Sequence, residues 1–247
     1  MQVYQKKPLT QSTKRPFQKA VLFDLFGTMV PMFSYAAHEK TLREMEDMLG
    51  VNSHQFGTQW IASEAKRISG YFPDTKSNVN MVLNRLQHKA SQSQINRAIR
   101  CYTSFTRKSL VPQDGVLNFL RELRSNGFRT GLISNCAPEV PALWEKTPFA
   151  NLFDTTVFSC RIGFVKPSPE IYHAAIDSLN TSASNCIFVG DGSGDELAGA
   201  ERVGMSSVLL RVSFEDTYDF IRPEVAAWNG MEIGKLQDLS KHLSPVD

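Results

Sequence analysis

Short apolar runs closed by a polar residue or a glycine turn alternate along this chain with longer stretches of helical period. Val21-Leu22-Phe23 runs into Asp24-Leu25-Phe26-Gly27-Thr28, and Ile187-Phe188-Val189 runs into Gly190-Asp191-Gly192. A continuous apolar run of this length is how a parallel strand buried on both faces reads. Further strands are predicted over Arg129 to Ile133 and near Val157 and Val208. Between them, Gly115 to Asn126 places Val116, Leu117, Phe119, Leu120 and Leu123 at helical spacing and is closed by Gly127. Pro138 to Trp144, Glu170 to Leu179 and Glu196 to Val203 supply more helices. Strands and helices in this alternation predict an α/β fold with a doubly wound parallel sheet.

One gap breaks the rhythm. Roughly 80 residues separate the first strand from the next helix-strand unit, far more than a connection between neighbouring elements needs, so a domain is inserted there. The insertion reads as helical: Ala36 to Leu49 stopped by Gly50, then Gln55 to Ile68, Val79 to His88 and Gln92 to Leu110. The predicted organisation is a mobile basic leader at 1–18, a core made of 19–31 and 111–247, and an inserted helical domain at 32–110. The leader carries Lys6, Lys7, Lys14 and Arg15 with no acidic residue.

Composition narrows the function classes. With 42% hydrophobic residues the 247-residue chain can bury a sizeable core, and its net charge of +2 is too small to argue for nucleic acid. No stretch reads as a membrane span or a secretory apolar core, so no membrane partner is expected and the expected location is cytoplasmic. Cys101, Cys136, Cys160 and Cys186 lack metal-ligand spacing and read as reduced, packed thiols, with Cys136 the one placed near a strand end that carries chemistry. The histidines form no metal cluster by spacing. Oligomeric state is not legible.

Asp24 carries the most chemistry, because a carboxylate just beyond a strand's carboxyl end and before a glycine turn sits where open α/β sheets bind ligands. Three later segments, each expected at a comparable strand end, supply what an aspartate nucleophile facing a phosphoryl group needs. Ser134 and Asn135 offer a hydroxyl and an amide as uncharged donors. Lys166, in Gly163-Phe164-Val165-Lys166-Pro167, can offset negative charge. Asp191 and Asp195, in the glycine turn Gly190-Asp191-Gly192-Ser193-Gly194-Asp195, offer hard oxygen ligands suited to Mg²⁺.

In this order the four segments resemble the haloacid dehalogenase superfamily of hydrolases, over about residues 19 to 212. The resemblance implies a core of this fold with a helical cap that closes over the site and selects a small phosphorylated substrate. It implies that Asp24 attacks phosphorus to give an aspartyl-phosphate, that Thr28, Ser134, Asn135 and Lys166 hold the transferring group, and that Asp24, the Phe26 carbonyl and Asp191 hold Mg²⁺. Asp195 would act through a bound water or by orienting Lys166. Arg43, Lys66, Arg67, Tyr71 and Arg85 of the cap are candidate substrate contacts.

One position departs from the pattern. Most phosphatases of this family carry a second aspartate, the general acid and base, where this chain has Phe26. Positioned proton transfer is worth about 10² to 10⁴ in rate, so a slow phosphatase is expected. The family's dehalogenases carry an aromatic residue there and use no metal, which makes 2-haloacid dehalogenation the alternative. An Asp191 left unneutralised beside Asp24 would call for a cation and favours phosphoryl chemistry. A non-catalytic member that binds a phosphorylated ligand or a protein is the third reading.

Overall fold

The structure is a computed structural model that describes residues 19–51, 54–213, 216–218 and 221–243. The predicted leader at 1–18 lies outside the described residues. Six strands form one parallel sheet: β1 (Ala20–Phe23), β2 (Arg129–Ser134), β3 (Thr155–Phe158), β4 (Cys186–Gly190), β5 (Ser206–Leu210) and β6 (Met231–Ile233), in the order β3-β2-β1-β4-β5-β6. The fold is therefore a doubly wound, Rossmann-like α/β sheet. β1 sits at its centre, with Phe23 opposite Leu132 of β2 and Val189 of β4.

Strand alternation splits β1 between two cores. Val21 and Phe23 pack with Val116, Phe119, Leu120 and Leu123 on one face, whereas Ala20 and Leu22 pack with Ile171, Tyr172, Ala175 and Leu197 on the other. Both faces are covered by helices, which is why the parallel strands are apolar throughout rather than alternating. The order of the strands reverses direction between β1 and β4. Their carboxyl ends consequently flank the crevice where a sheet of this topology binds ligands.

The insertion between β1 and β2 holds α1 (Tyr35–Leu49), α2 (Gln55–Ala62), α3 (Glu64–Ile68), α4 (Thr75–Arg85) and α5 (Gln92–Ser109). These helices bury a core of their own, including Leu42, Met45, Phe56, Trp60, Val79, Val82, Ile95 and Tyr102. Ser91 and Gln94 close a capping box at the start of α5, and Gly50 ends α1 with φ 73°. The stretch Gln55 to Ile68, expected as one helix, is two. Ser63 donates its hydroxyl to the Trp60 carbonyl at 2.7 Å, with the Asn78 side-chain amide 3.1 Å from the same oxygen, and this side-chain bonding at the junction accompanies the break.

The rest of the chain supplies α6 (Val116–Ser125), α7 (Glu139–Leu143), α8 (Ser159–Ile162), α9 (Pro169–Ser178), α10 (Glu196–Arg202) and α11 (Pro223–Ala226). The edge strand β6 was not expected from the pattern. Two of its three residues are exposed, so it carries no apolar run. No helix among the described residues is long and apolar enough to cross a membrane.

Candidate active site

Asp24 is the first residue past β1, and its backbone N–H donates to the Val189 carbonyl at 2.9 Å, which fixes it beside β4. Asp191 is the first residue past β4. Their carboxylates meet at the floor of a cavity of about 370 Å³ that runs from the strand ends to the inserted helices. Gly27 makes the approach possible. Its φ is 81°, and a Cβ there would lie 2.2 Å from Asp191 Oδ2. Gly27→Ala is therefore expected to cost more than about 1 kcal/mol of stability, read as a lowered Tm, and to remove activity.

Two cations meet the buried carboxylates. Lys166 Nζ donates to Asp24 Oδ1 and, at 2.5 Å, to Glu196 Oε2. Burial opposes the charge on Lys166, but Asp24 and then Glu196 outweigh it and hold its pKa above the ordinary lysine value. Arg222 Nη1 lies 2.9 Å from Asp191 Oδ2. Burial and then the neighbouring Asp24 push the Asp191 carboxyl up, against the pull of Arg222. Thr28 donates its hydroxyl to Asp24 Oδ2 at 3.3 Å.

Several expected placements change. Lys166 does not follow a strand directly: it lies in the loop between α8 and α9, past the end of β3. Asn135 holds that loop, its Oδ1 accepting the Lys166 backbone N–H at 2.8 Å and its Nδ2 donating to the Lys166 carbonyl at 3.1 Å. Its amide is thus engaged in positioning the lysine. Asp195 is exposed, and the carboxylate that reaches Lys166 is that of Glu196, one residue later. The cause is the turn before α10, where Gly192, Gly194 and Asp195 all take positive φ, turning Asp195 outward and Glu196 back over the site. Asp191 is not left unneutralised, because Arg222 pairs with it.

The three buried carboxylates, Asp24, Asp191 and Glu196, bring one oxygen each within 4.8 Å of one another. Counted as ionised, they exceed the two charges of Lys166 and Arg222 by one. Hard oxygens with a charge deficit fit Mg²⁺. Ser134 is buried at the end of β2, and its hydroxyl makes no hydrogen bond among the described residues.

The upper wall of the cavity comes from the insertion and from α7. His38 is buried there with its pKa lowered to about 4 by burial and by Arg67, so the imidazole is neutral. Its Nδ1 lies 2.8 Å from the Tyr218 hydroxyl and its Nε2 3.3 Å from the Tyr102 hydroxyl. Tyr218 donates to Glu39 at 3.3 Å, which leaves it to accept from Nδ1–H while Tyr102 donates to Nε2. Of the five cap residues considered for substrate contact, Arg67 alone lines this cavity. It is anchored by the Trp60 carbonyl and by Ser63 Oγ at 2.9 Å. Cys136 also lines the cavity, as a buried free thiol.

Glu139, at the start of α7, is a wall residue whose two carboxylate oxygens are buried without a hydrogen-bond partner among the described residues. Burial raises its pKa. The folded chain then binds this proton more tightly than the unfolded chain, so the stability it contributes is complete below the ordinary glutamate pKa and is lost as pH rises through the raised value. Glu139→Gln is expected to raise Tm at neutral pH by about 2–4 °C. The gain should vanish in acid, as thermal melts across pH would record.

A family model of haloacid dehalogenase-like hydrolases matches residues 18–204. The chain belongs to this family. The glyceraldehyde 3-phosphate phosphatase of Methanopyrus kandleri is 26% identical over 198 residues, covering 78% of this chain and 84% of the relative. Among solved structures, a HAD phosphatase from Thermococcus onnurineus superposes with a TM-score of 0.61 at 20% identity, over 92% of this chain and 98% of the other. The L-2-haloacid dehalogenase of Xanthobacter autotrophicus, with chloropropionic acid covalently bound, has a TM-score of 0.59 at 18% identity, over 92% of this chain and all of the other. The two structures establish the shared fold, and family membership makes this haloacid dehalogenase-like protein a hydrolase.

Sequence reasoning missed Glu196, Arg222 and Glu139. Glu196 had a local signal, since it is acidic and begins the helix that packs against β4 and β5. Arg222 had none, because a lone arginine far along the chain reads as a solvated charge.

Proposed function

We propose that this protein is a phosphatase of a small phosphorylated metabolite, dependent on Mg²⁺ and acting in the cytoplasm through an aspartyl-phosphate at Asp24. The observation that carries this reading is the buried Asp24 carboxylate, held by Lys166 and Thr28 and facing a cavity sized for a metabolite, with a second aspartate beside it. The kinship with a protein named glyceraldehyde 3-phosphate phosphatase supports the same substrate class.

In this reading Lys166 orients Asp24 for in-line attack and offsets charge on the transferring group. The Ser134 hydroxyl donates to a phosphoryl oxygen, and Asn135 keeps Lys166 in place. Asp24, Asp191 and the Phe26 carbonyl would hold Mg²⁺, which supplies charge neutralisation at the phosphoryl oxygens. Glu196, not Asp195, supports Lys166. Water completes the reaction by hydrolysing the acyl-phosphate, and without an aspartate at Phe26 both proton transfers fall to water, so turnover is slow.

A 2-haloacid dehalogenase is the second reading, favoured by Phe26 and by the Arg222 pair that neutralises Asp191 without a metal. One assay separates the two: phosphate release from p-nitrophenyl phosphate and acetyl phosphate with and without Mg²⁺, beside halide release from 2-chloropropionate. Mg²⁺-dependent phosphate release is expected. Halide release without it would replace the phosphatase reading, and neither product would leave a binding protein.

A further inference from the structure

We propose that Arg222 is the resident counter-ion of Asp191 and sets how tightly this site takes a divalent cation. The inference rests on the Mg²⁺-dependent reading above. Arg222 and Asp191 are both almost wholly enclosed, with side chains 2% and 1% exposed, and the guanidinium meets Asp191 twice, as an ion pair with Oδ2 at 2.9 Å and as a hydrogen bond to the backbone carbonyl at 3.3 Å. Asp191 Oδ1 accepts the Ser193 N–H at 3.1 Å. Oδ2 is also the oxygen that crowds Gly27, on the Phe26 turn that follows Asp24. The oxygen nearest the Gly27 turn is therefore the one that Arg222 pairs with.

Lys166 engages the other two carboxylates. A divalent cation entering between Asp24 and Asp191 would meet an arginine on one ligand and a lysine on the other. Lys166 is bound to Asp24 as part of the nucleophile's own arrangement, whereas Arg222 meets the carboxylate cluster at Asp191. Like charges sharing one buried oxygen repel strongly, so cation entry requires Arg222 to yield Oδ2. Removing Arg222 takes one positive charge away from the cluster, whatever the protonation of its carboxyls. Cation affinity at this site is then a competition that Arg222 tunes, holding Asp191 compact when metal is scarce.

The test is titration of Mg²⁺ alone into wild type, Arg222→Met and Arg222→Lys, followed by calorimetry and by Tm across the same concentrations. Arg222→Met is expected to bind Mg²⁺ on the order of tenfold more tightly, with a larger Mg²⁺-induced rise in Tm. Arg222→Lys should stay near wild type. Equal or weaker binding by Arg222→Met, with wild type still binding, would overturn the proposal and leave the Mg²⁺ reading standing. Absence of binding in all three would overturn both together. If Arg222→Met folds only when Mg²⁺ is present, the competition is supported; if it stays unfolded at every Mg²⁺ concentration, Arg222 is structural and the proposal fails.

Discussion

Asp24→Asn is expected to abolish turnover, by about 10⁴-fold or more, while leaving the fold intact. The size follows from the absence of a second nucleophile in place: Glu196 is tied to Lys166, and Asp191 is tied to Arg222. Asparagine keeps the shape: its Oδ1 can accept from Lys166 while its Nδ2, standing in place of Oδ2, donates to the Thr28 hydroxyl, so the cavity should survive. Circular dichroism and Tm near those of wild type, together with loss of product in the assay above, would check it. A variant that keeps more than a few per cent of activity would remove Asp24 from the chemistry.

Phe26→Asp is expected to act in the opposite direction, raising phosphatase turnover by about 10² to 10⁴. Phe26 lines the cavity beside Asp24, and its ring packs edge-on against Phe33 at 5.3 Å. An aspartate there would stand within the site where a leaving group needs a proton and where the hydrolytic water must lose one. The gain should be largest for alkyl phosphates, whose leaving groups need protonation, and smallest for p-nitrophenyl phosphate. Loss of the Phe33 contact should lower Tm modestly. A rate unchanged across leaving groups would mean that some other residue already moves the proton, or that a step other than chemistry limits turnover.

The sheet was readable because its strands are buried on both faces. That condition writes an apolar run at Val21-Leu22-Phe23 and at Ile187-Phe188-Val189, and each run ends where the chain must turn. Helix limits were readable where a glycine stops the helix, as at Gly50, and less so where a serine bonds back to the preceding carbonyl, as at Ser63. β6 escaped notice because an exposed edge of three residues needs no apolar pattern. Within the site, residues beside a strand end, such as Asp24 and Asp191, could be placed from sequence. Position in the turn before α10 could not, since three departures to positive φ within four residues, at Gly192, Gly194 and Asp195, decide whether Asp195 or Glu196 faces inward. Arg222 is the extreme case: it lies 31 residues from Asp191 in a segment without periodicity, and only the folded chain brings the two together.

The most direct test of the central claim is a search for the covalent intermediate on Asp24. Acetyl phosphate would be mixed with the protein and Mg²⁺, the reaction quenched in acid, and the peptide spanning Asp24 weighed by mass spectrometry after digestion. An increase equal to one phosphoryl group on Asp24 is expected, absent from Asp24→Asn and labile to hydroxylamine. Phosphate release without any modification of that peptide, in samples quenched within a single turnover, would contradict it.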